Sequence, residues 1–373
     1  MKSRLSAGLF LCGVLGAHLA ASSAWATPPD YYPPDYTNTI EASKSESGIL
    51  IYGNIADENW RPIITAFNQE YPWVKVNFLD LASDEVFQRY YAEQSTGNSA
   101  VDIILTGSSA AWLDFISKGN VVKYDSPEIP KIPANTVPSP GIYTISYDPQ
   151  IIAWNKLLLP EAQWPKSVAD IAALAKADPS AFDKKIGVME PMGTSTMQSI
   201  IAHLIKHSGE DREMDLFKVL GPLSVVARSA GPTYEKILTG EFVAGFNLSA
   251  IPLFPQLADP NIANIIGWAY PTDGTVATMR NFSIATTTKN PNSARLFVDF
   301  LLSKKGQEAV SAGGLMSYRT DIDVPPGPVK IAYSAMEKAV GKDNIIPTSM
   351  DPAMLRPSAE LIAKVRGAFK LPN

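Results

Sequence analysis

Apolar and polar positions change period along the chain in a regular way. Residues 48–53 form a short apolar run closed by Gly53, which predicts a buried strand. Over 58–70, Trp60, Ile63, Ile64 and Phe67 recur at helical spacing, and Val74, Val76 and Phe78 then alternate as a second strand. A helix over 84–94, a strand over 101–105 and a helix over 110–117 stopped by Gly119 complete a first series. Strands alternating with helices predict a mostly parallel sheet covered on both faces.

The middle of the chain breaks this pattern. Residues 126–140 hold five prolines, so neither a helix nor an interior strand fits there. Strands over 143–147 and 151–154 are expected around a turn at Asp148-Pro149. A second series follows: a helix over 168–177 capped by Ser167, a strand over 186–189, helices over 195–206 and 214–220, and a strand over 225–227. It closes with a helix over 234–238, a strand over 242–248 and a short strand over 268–270. A strand over 282–287 returns towards the first unit, with helices over 293–302, 304–311, 336–340 and 358–368 after it. The fold class is α/β: two lobes joined by strand-like hinge crossings, with a ligand cleft between them. The expected organisation is a signal peptide over 1–26, a Pro/Tyr-rich tether over 27–47, the first lobe over 48–145 and the second over 146–275. Residues 276–325 return to the first lobe, and 326–373 form C-terminal helices whose lobe the pattern leaves open.

The first residues have their own logic. Lys2 and Arg4 precede an apolar run over 5–21 and the small-x-small signal Ala24-Trp25-Ala26, which predicts export and cleavage after Ala26. The run is short for a spanning helix and no Lys/Arg cluster follows it. Cleavage removes Cys12, the one cysteine, and the exported chain then has no thiol chemistry. A doubled Pro-Pro-Asp-Tyr at 28–36 favours an extended spacer.

Composition narrows the function further. At 46% hydrophobic and 18% charged residues, 373 residues are enough for two real cores. The formal charge of −5 becomes −7 once Lys2 and Arg4 leave, and an acidic surface excludes a general nucleic-acid binder. His203 and His207 stand at i, i+4 without the glutamate of a metalloprotease, and no Gly-x-Ser-x-Gly elbow is present, so no metal site, cofactor or catalytic residue is assigned.

The run 290–303 (Asn290-Pro291-Asn292-Ser293-Ala294-Arg295, then Leu296 through Ser303) with Gly306-Gln307 resembles a C-terminal signature of bacterial periplasmic solute-binding proteins. More narrowly, it is similar to the branch that includes ferric-ion-binding proteins. Ser317-Tyr318-Arg319-Thr320-Asp321, Ala66-Phe67 with Tyr71-Pro72, 100–104, Ser126-Pro127-Glu128 and Thr239-Gly240-Glu241 extend the match over about 48–325. The resemblance implies a type II periplasmic binding fold, a monomer whose lobes close on a small-molecule solute and present it to the permease of an ABC importer in the inner membrane. Iron-binding members hold Fe(III) with adjacent tyrosines after the strand equivalent to 242–246, since a hard cation wants anionic oxygen. Here Asn247-Leu248-Ser249-Ala250-Ile251-Pro252 stands at that place, and Tyr90-Tyr91 is on an early helix.

Polar chemistry remains. Gly193, Thr194 and Ser195 lie between a strand and a helix start, and Gly107 with Ser108 ends a parallel strand; helix N-termini there favour a carboxylate or phosphate, or serve only as caps. Asn54, Ala56 and Asp57 follow the first strand, where related proteins contact ligand. Arg228 with Ser229, and Arg280, are the cationic candidates for an anionic head group. Asn247 and Ser249 complete the set by their place in the family. The leading reading is a receptor for a small anionic organic solute; ferric ion held by other ligands and a secreted hydrolase on a similar scaffold are the rivals.

Overall fold

The computed structural model describes residues 28–372 apart from Pro325, Pro328 and Lys330. The expected signal peptide at 1–26, with its cleavage site, Cys12 and His18, lies outside the described residues.

Among the described residues ten strands build the frame: β1 (Ile49–Gly53), β2 (Val76–Asp80), β3 (Ile103–Thr106), β4 (Tyr143–Asn155), β5 (Ile186–Met189), β6 (Ser224–Ala227), β7 (Ala244–Ser249), β8 (Ile266–Ala269), β9 (Thr275–Ile284) and β10 (Ile345–Pro347). Their order is β2-β1-β3-β9-β4-β7-β5-β6, with β10 beside β9 and β8 beside β4. The β2-β1-β3 group is parallel, and so is β7-β5-β6. The inner strands of each group are buried while the edge strands β2 and β6 are partly exposed.

The lobes are joined by two long strands. The first half of β4 pairs antiparallel with β9, from Tyr143 opposite Phe282 to Pro149 opposite Ala277, and its second half pairs with β7 and β8. The turn expected at Asp148-Pro149 is therefore absent: β4 runs straight through it. Pro149 offers no N–H, but its carbonyl accepts from the Ala250 N–H at 3.1 Å just where the strand changes partners. Strand β9 likewise begins seven residues before the start expected at 282, so Arg280 is a strand residue. A register shift in β4 opposite Phe246 and Asn247 bends β7, and Asn247 takes a left-handed φ of 49° there, a conformation asparagine tolerates well.

Local signals explain the second lobe. Ser167 accepts from the Asp170 N–H while Asp170 reaches back to the Ser167 N–H, a capping box that starts the helix Val168–Ala177. Thr194 caps the helix Ser195–Ser208 by accepting from the Met197 N–H.

The N-terminal stretch differs from the extended tether expected. Residues Tyr36–Ser43 form a helix packed on the helix Pro291–Leu302. Tyr31 and Tyr32 donate to Glu128 at 2.7 and 2.9 Å, and Tyr36 donates to Asp299 at 2.7 Å. The aromatic rings that follow the prolines thus fasten the segment to the first lobe.

The C-terminal helices divide between the lobes. Met336 of the helix Tyr333–Val340 joins the large core under the first sheet. Val365 of the helix Ala359–Ala368 joins the second core beside Phe217. Between them, the short helix Pro352–Leu355 touches both Ser109–Ser117 and Ser195–Ser208.

Candidate functional site

The helices Ser109–Ser117 and Ser195–Ser208 start on opposite lobes and point their N-termini at each other. The Ser108 and Ser195 hydroxyls are 2.6 Å apart. Both bond the same acceptor, Oδ1 of Asp84, at 2.6 and 2.5 Å, and the Ser195 backbone N–H donates to Oδ2 at 3.4 Å. A helix N-terminus attracts anionic oxygen through its free N–H groups and its dipole. In this closed arrangement the anion is the protein's own carboxylate.

A polar chain leads from this meeting point to the hinge. Next to Asp84, the Ser83 hydroxyl accepts from the Asn54 amide at 2.7 Å, and the Ser83 carbonyl accepts from Thr106. Arg280 of β9 donates to the Asn54 carbonyl at 3.2 Å and to its side-chain oxygen, and its Nε donates to Asp148 of β4 at 2.7 Å. Both members of that ion pair are buried. Arg280 is therefore not the free cation expected for an anionic head group, because Asp148 already neutralises it.

The hinge strands form the floor. Period-two alternation puts Ser146, Asp148 and Gln150 on one face of β4, while Tyr147 and Ile151 enter the large core on the other. Ser249 is directly opposite Gln150, and Gln150 donates to Thr278 at 3.4 Å. Gly107 lies against this floor: a Cβ there would stand 3.6 Å from the Thr278 methyl and 3.7 Å from the Thr196 methyl. Lobe one, lobe two and hinge thus meet within one side chain's width.

The structure brings together Asn54, Gly107, Ser108, Ser195, Ser249 and Arg280 of the expected set, while Thr194 caps the helix that Ser195 begins and Asn247 lies at the bend of β7. The others have different surroundings. Asp57 is exposed and paired with Arg61 at 2.6 Å, one turn along the helix Asp57–Glu70 that Ala56 precedes. Gly193 is exposed and closes on the Glu190 side chain. Arg228 and Ser229 are exposed ahead of the helix Ala230–Leu238. Ser83, Asp84, Asp148, Gln150, Thr196 and Thr278 belong to the site without having been singled out. The sequence signals two of these positions: Asp148 and Gln150, with Ser146 before them, are polar at every second residue of an otherwise apolar stretch.

Other candidate chemistry resolves into structure. The His203 Nδ1 lies 2.8 Å from the Ser199 carbonyl, and Nε2 accepts from the Ser349 N–H at 3.0 Å. Burial lowers its pKa, which keeps the ring neutral, and His207 is exposed. Tyr90 is buried and bonded to Asn120, while Lys118 sits 4.0 Å over the Tyr91 ring. No group of three His, Cys, Asp or Glu side chains able to hold a metal occurs among the described residues. A cavity of about 380 Å³ lined by Trp154, Trp164, Trp268 and Leu257 is built around β4 and β8 of the second lobe and does not include the Ser108–Ser195 meeting.

Comparison with known proteins places this geometry. Residues 52–308 match the family model for bacterial extracellular solute-binding proteins. A Haemophilus influenzae protein of uncharacterized role is 24% identical over 281 residues, covering 72% of this chain and 76% of that one. The substrate-binding protein of an ABC transporter from Agrobacterium tumefaciens superposes with a TM-score of 0.74 at 16% identity, covering 88% of this chain and 97% of that one. Iron-bound HitA from Pseudomonas aeruginosa (17% identity) and AfuA from Actinobacillus pleuropneumoniae with fructose-6-phosphate bound (22%) both give 0.66, covering 87% of this chain and 99% of theirs. The fold is the two-lobed fold of periplasmic binding proteins, and the chain belongs to the bacterial extracellular solute-binding protein family.

Proposed function

We propose that this protein is a periplasmic receptor that delivers a small anionic organic solute, bearing a carboxylate, phosphate or phosphonate, to a cognate ABC importer of the inner membrane. The observation that carries this reading is the convergence of the Ser108 hydroxyl, the Ser195 hydroxyl and the Ser195 N–H on one carboxylate. Three donors from facing helix starts make a cradle for anionic oxygen, and Asp84 occupies it when the lobes close on themselves. The solute's anionic group takes that place, and lobe closure then completes its coordination from both sides. The protein is exported with cleavage after Ala26, acts as a monomer and turns nothing over.

Ferric ion is disfavoured on chemical grounds: the stretch after Phe246 offers amide, hydroxyl and apolar side chains where a hard cation needs phenolate or carboxylate. The structural relatives include one bound to iron and one bound to fructose-6-phosphate, and the donor set here suits the second kind of ligand better.

A thermal-shift screen on refolded mature protein tests the proposal. A solute that binds only the native state raises the midpoint, by about 2.7 kcal/mol of added stability at a hundredfold excess over Kd. Organic carboxylates or phosphates are expected to raise it. A shift with neutral sugars and none with any anion overturns the anionic assignment.

A further inference from the structure

Three consecutive same-face positions on the hinge strand carry polar atoms without a hydrogen-bond partner: Ser146 Oγ, Asp148 Oδ1 and Gln150 Oε1. The residues are 0%, 1% and 5% exposed, so water does not satisfy these atoms from bulk solvent. A buried acceptor left unmade is costly, and such groups in native proteins call for an explanation. Across the cleft, Thr196 Oγ1 at the start of the second-lobe helix is unpartnered as well.

These atoms belong to the floor of the cleft. Gln150 reaches Thr278, whose methyl faces Gly107 and, through it, Thr196. Asp148 is tied through Arg280 to Asn54, the residue that links the floor to Ser83 beside Asp84. Asp148 Oδ1 and Gln150 Oε1 are acceptors only, so whatever satisfies them must donate. Arg280 already balances the Asp148 charge. A second cation would sit beside a buried guanidinium, whereas a hydroxyl donates without adding charge.

We infer that Asp148 and Gln150 are specificity-determining residues that accept hydrogen bonds from hydroxyl groups of the solute, so that the cleft selects a hydroxylated anion over a plain carboxylate or alkyl phosphate. This rests on the cleft being the solute site and deepens the reading given above. A site built to pair a hydroxyl rejects the analogue that lacks it, because the buried acceptor is then left alone.

Calorimetric titration of the mature full chain with matched pairs tests it: glycerol 3-phosphate against propyl phosphate, and gluconate against hexanoate, with glucose and erythritol as neutral polyols. The hydroxylated member of at least one pair is expected to bind roughly tenfold or more tightly than its deoxy partner. Gln150→Leu is expected to reduce or abolish the preference for that member over its deoxy partner. Equal, measurable binding within both pairs, a Gln150→Leu variant that keeps the full preference, or no binding of any hydroxylated probe overturns the inference. If Gln150→Leu does not fold, the wild-type comparison alone decides. Binding of neutral polyols only, lost in Gln150→Leu, leaves the hydroxyl assignment standing and removes the anionic one.

Discussion

Asp84 of the first lobe bonds Ser195 of the second through both carboxylate oxygens, Oδ1 to the hydroxyl at 2.5 Å and Oδ2 towards the backbone N–H at 3.4 Å. Asp84 and Ser108 travel together on one lobe, and Ser195 arrives with the other. The bond therefore joins the two lobes directly across the cleft.

Asp84→Ala is expected to open the unliganded protein and to tighten anion binding. Hydrogen bonds to a charged group contribute about 1.5–3 kcal/mol, so removing this competitor corresponds to roughly a 10- to 150-fold fall in apparent Kd. Solution scattering should show a larger radius of gyration without ligand. Weaker anion binding in the variant would instead make Asp84 a direct contact of the solute.

Arg280→Met is expected to destabilise the fold strongly. The guanidinium is buried and is the counter-charge of Asp148, whose other oxygen is already unpartnered. Removing one member of a buried pair costs about 3–5 kcal/mol because the remaining charge is stranded. Urea unfolding measures this, and a loss under 1 kcal/mol would mean that water replaces the arginine.

Stability should fall as the pH rises between about 4 and 7. Burial pushes Asp299 up from 3.8 to about 7, against the lowering effect of its bonds from Ser126, Tyr36 and Tyr124, with Glu128 raising it further. Within that window the folded protein holds a proton that the unfolded chain has released, so each proton costs about 1.4 kcal/mol per pH unit until ionisation near 7 levels the curve. Glu213, pushed up to about 7 by its own burial, adds a slope of the same sign from the second lobe. Asp299→Asn is expected to remove its share in chemical denaturation at pH 5 and 7, and an unchanged slope would reject the assignment.

Tyr36→Phe deletes one of the two hydroxyls, with that of Tyr124, that bond Asp299 Oδ2 at 2.7 Å. At pH 5, where burial keeps the Asp299 carboxyl protonated, the expected loss is about 0.5–1.5 kcal/mol, the usual range for a bond between neutral groups. Protease cleavage within residues 28–43 should quicken in parallel. Unchanged protection would mean that ring packing alone fastens the segment.

Much of the architecture was legible because each local signal agreed with the global one. The apolar run ending at Gly53, the helical spacing of Trp60, Ile63 and Phe67, and the Ser167 cap each describe a short segment, and each segment formed as read. Where the reading failed, a distant partner overruled local chemistry. Asp148-Pro149 is a turn signal, yet Ala277 on β9 and Ala250 after β7 hold it extended. Pro28 through Tyr36 is spacer-like in composition, yet Glu128 and Asp299 capture its tyrosines.

The site shows the same division. The chain by itself determined most of the elements and the candidate helix starts at Ser108 and Ser195, because caps and periodicity are properties of a few neighbouring residues. Only the tertiary structure decided that these two starts face one another, that Asp84 fills the space between them, and that Asp148 cancels Arg280. Those relationships join residues from 24 to 132 positions apart. No local pattern encodes them, because the charge and the free hydrogen bonds of a cleft are set by what the fold carries to its opposite wall.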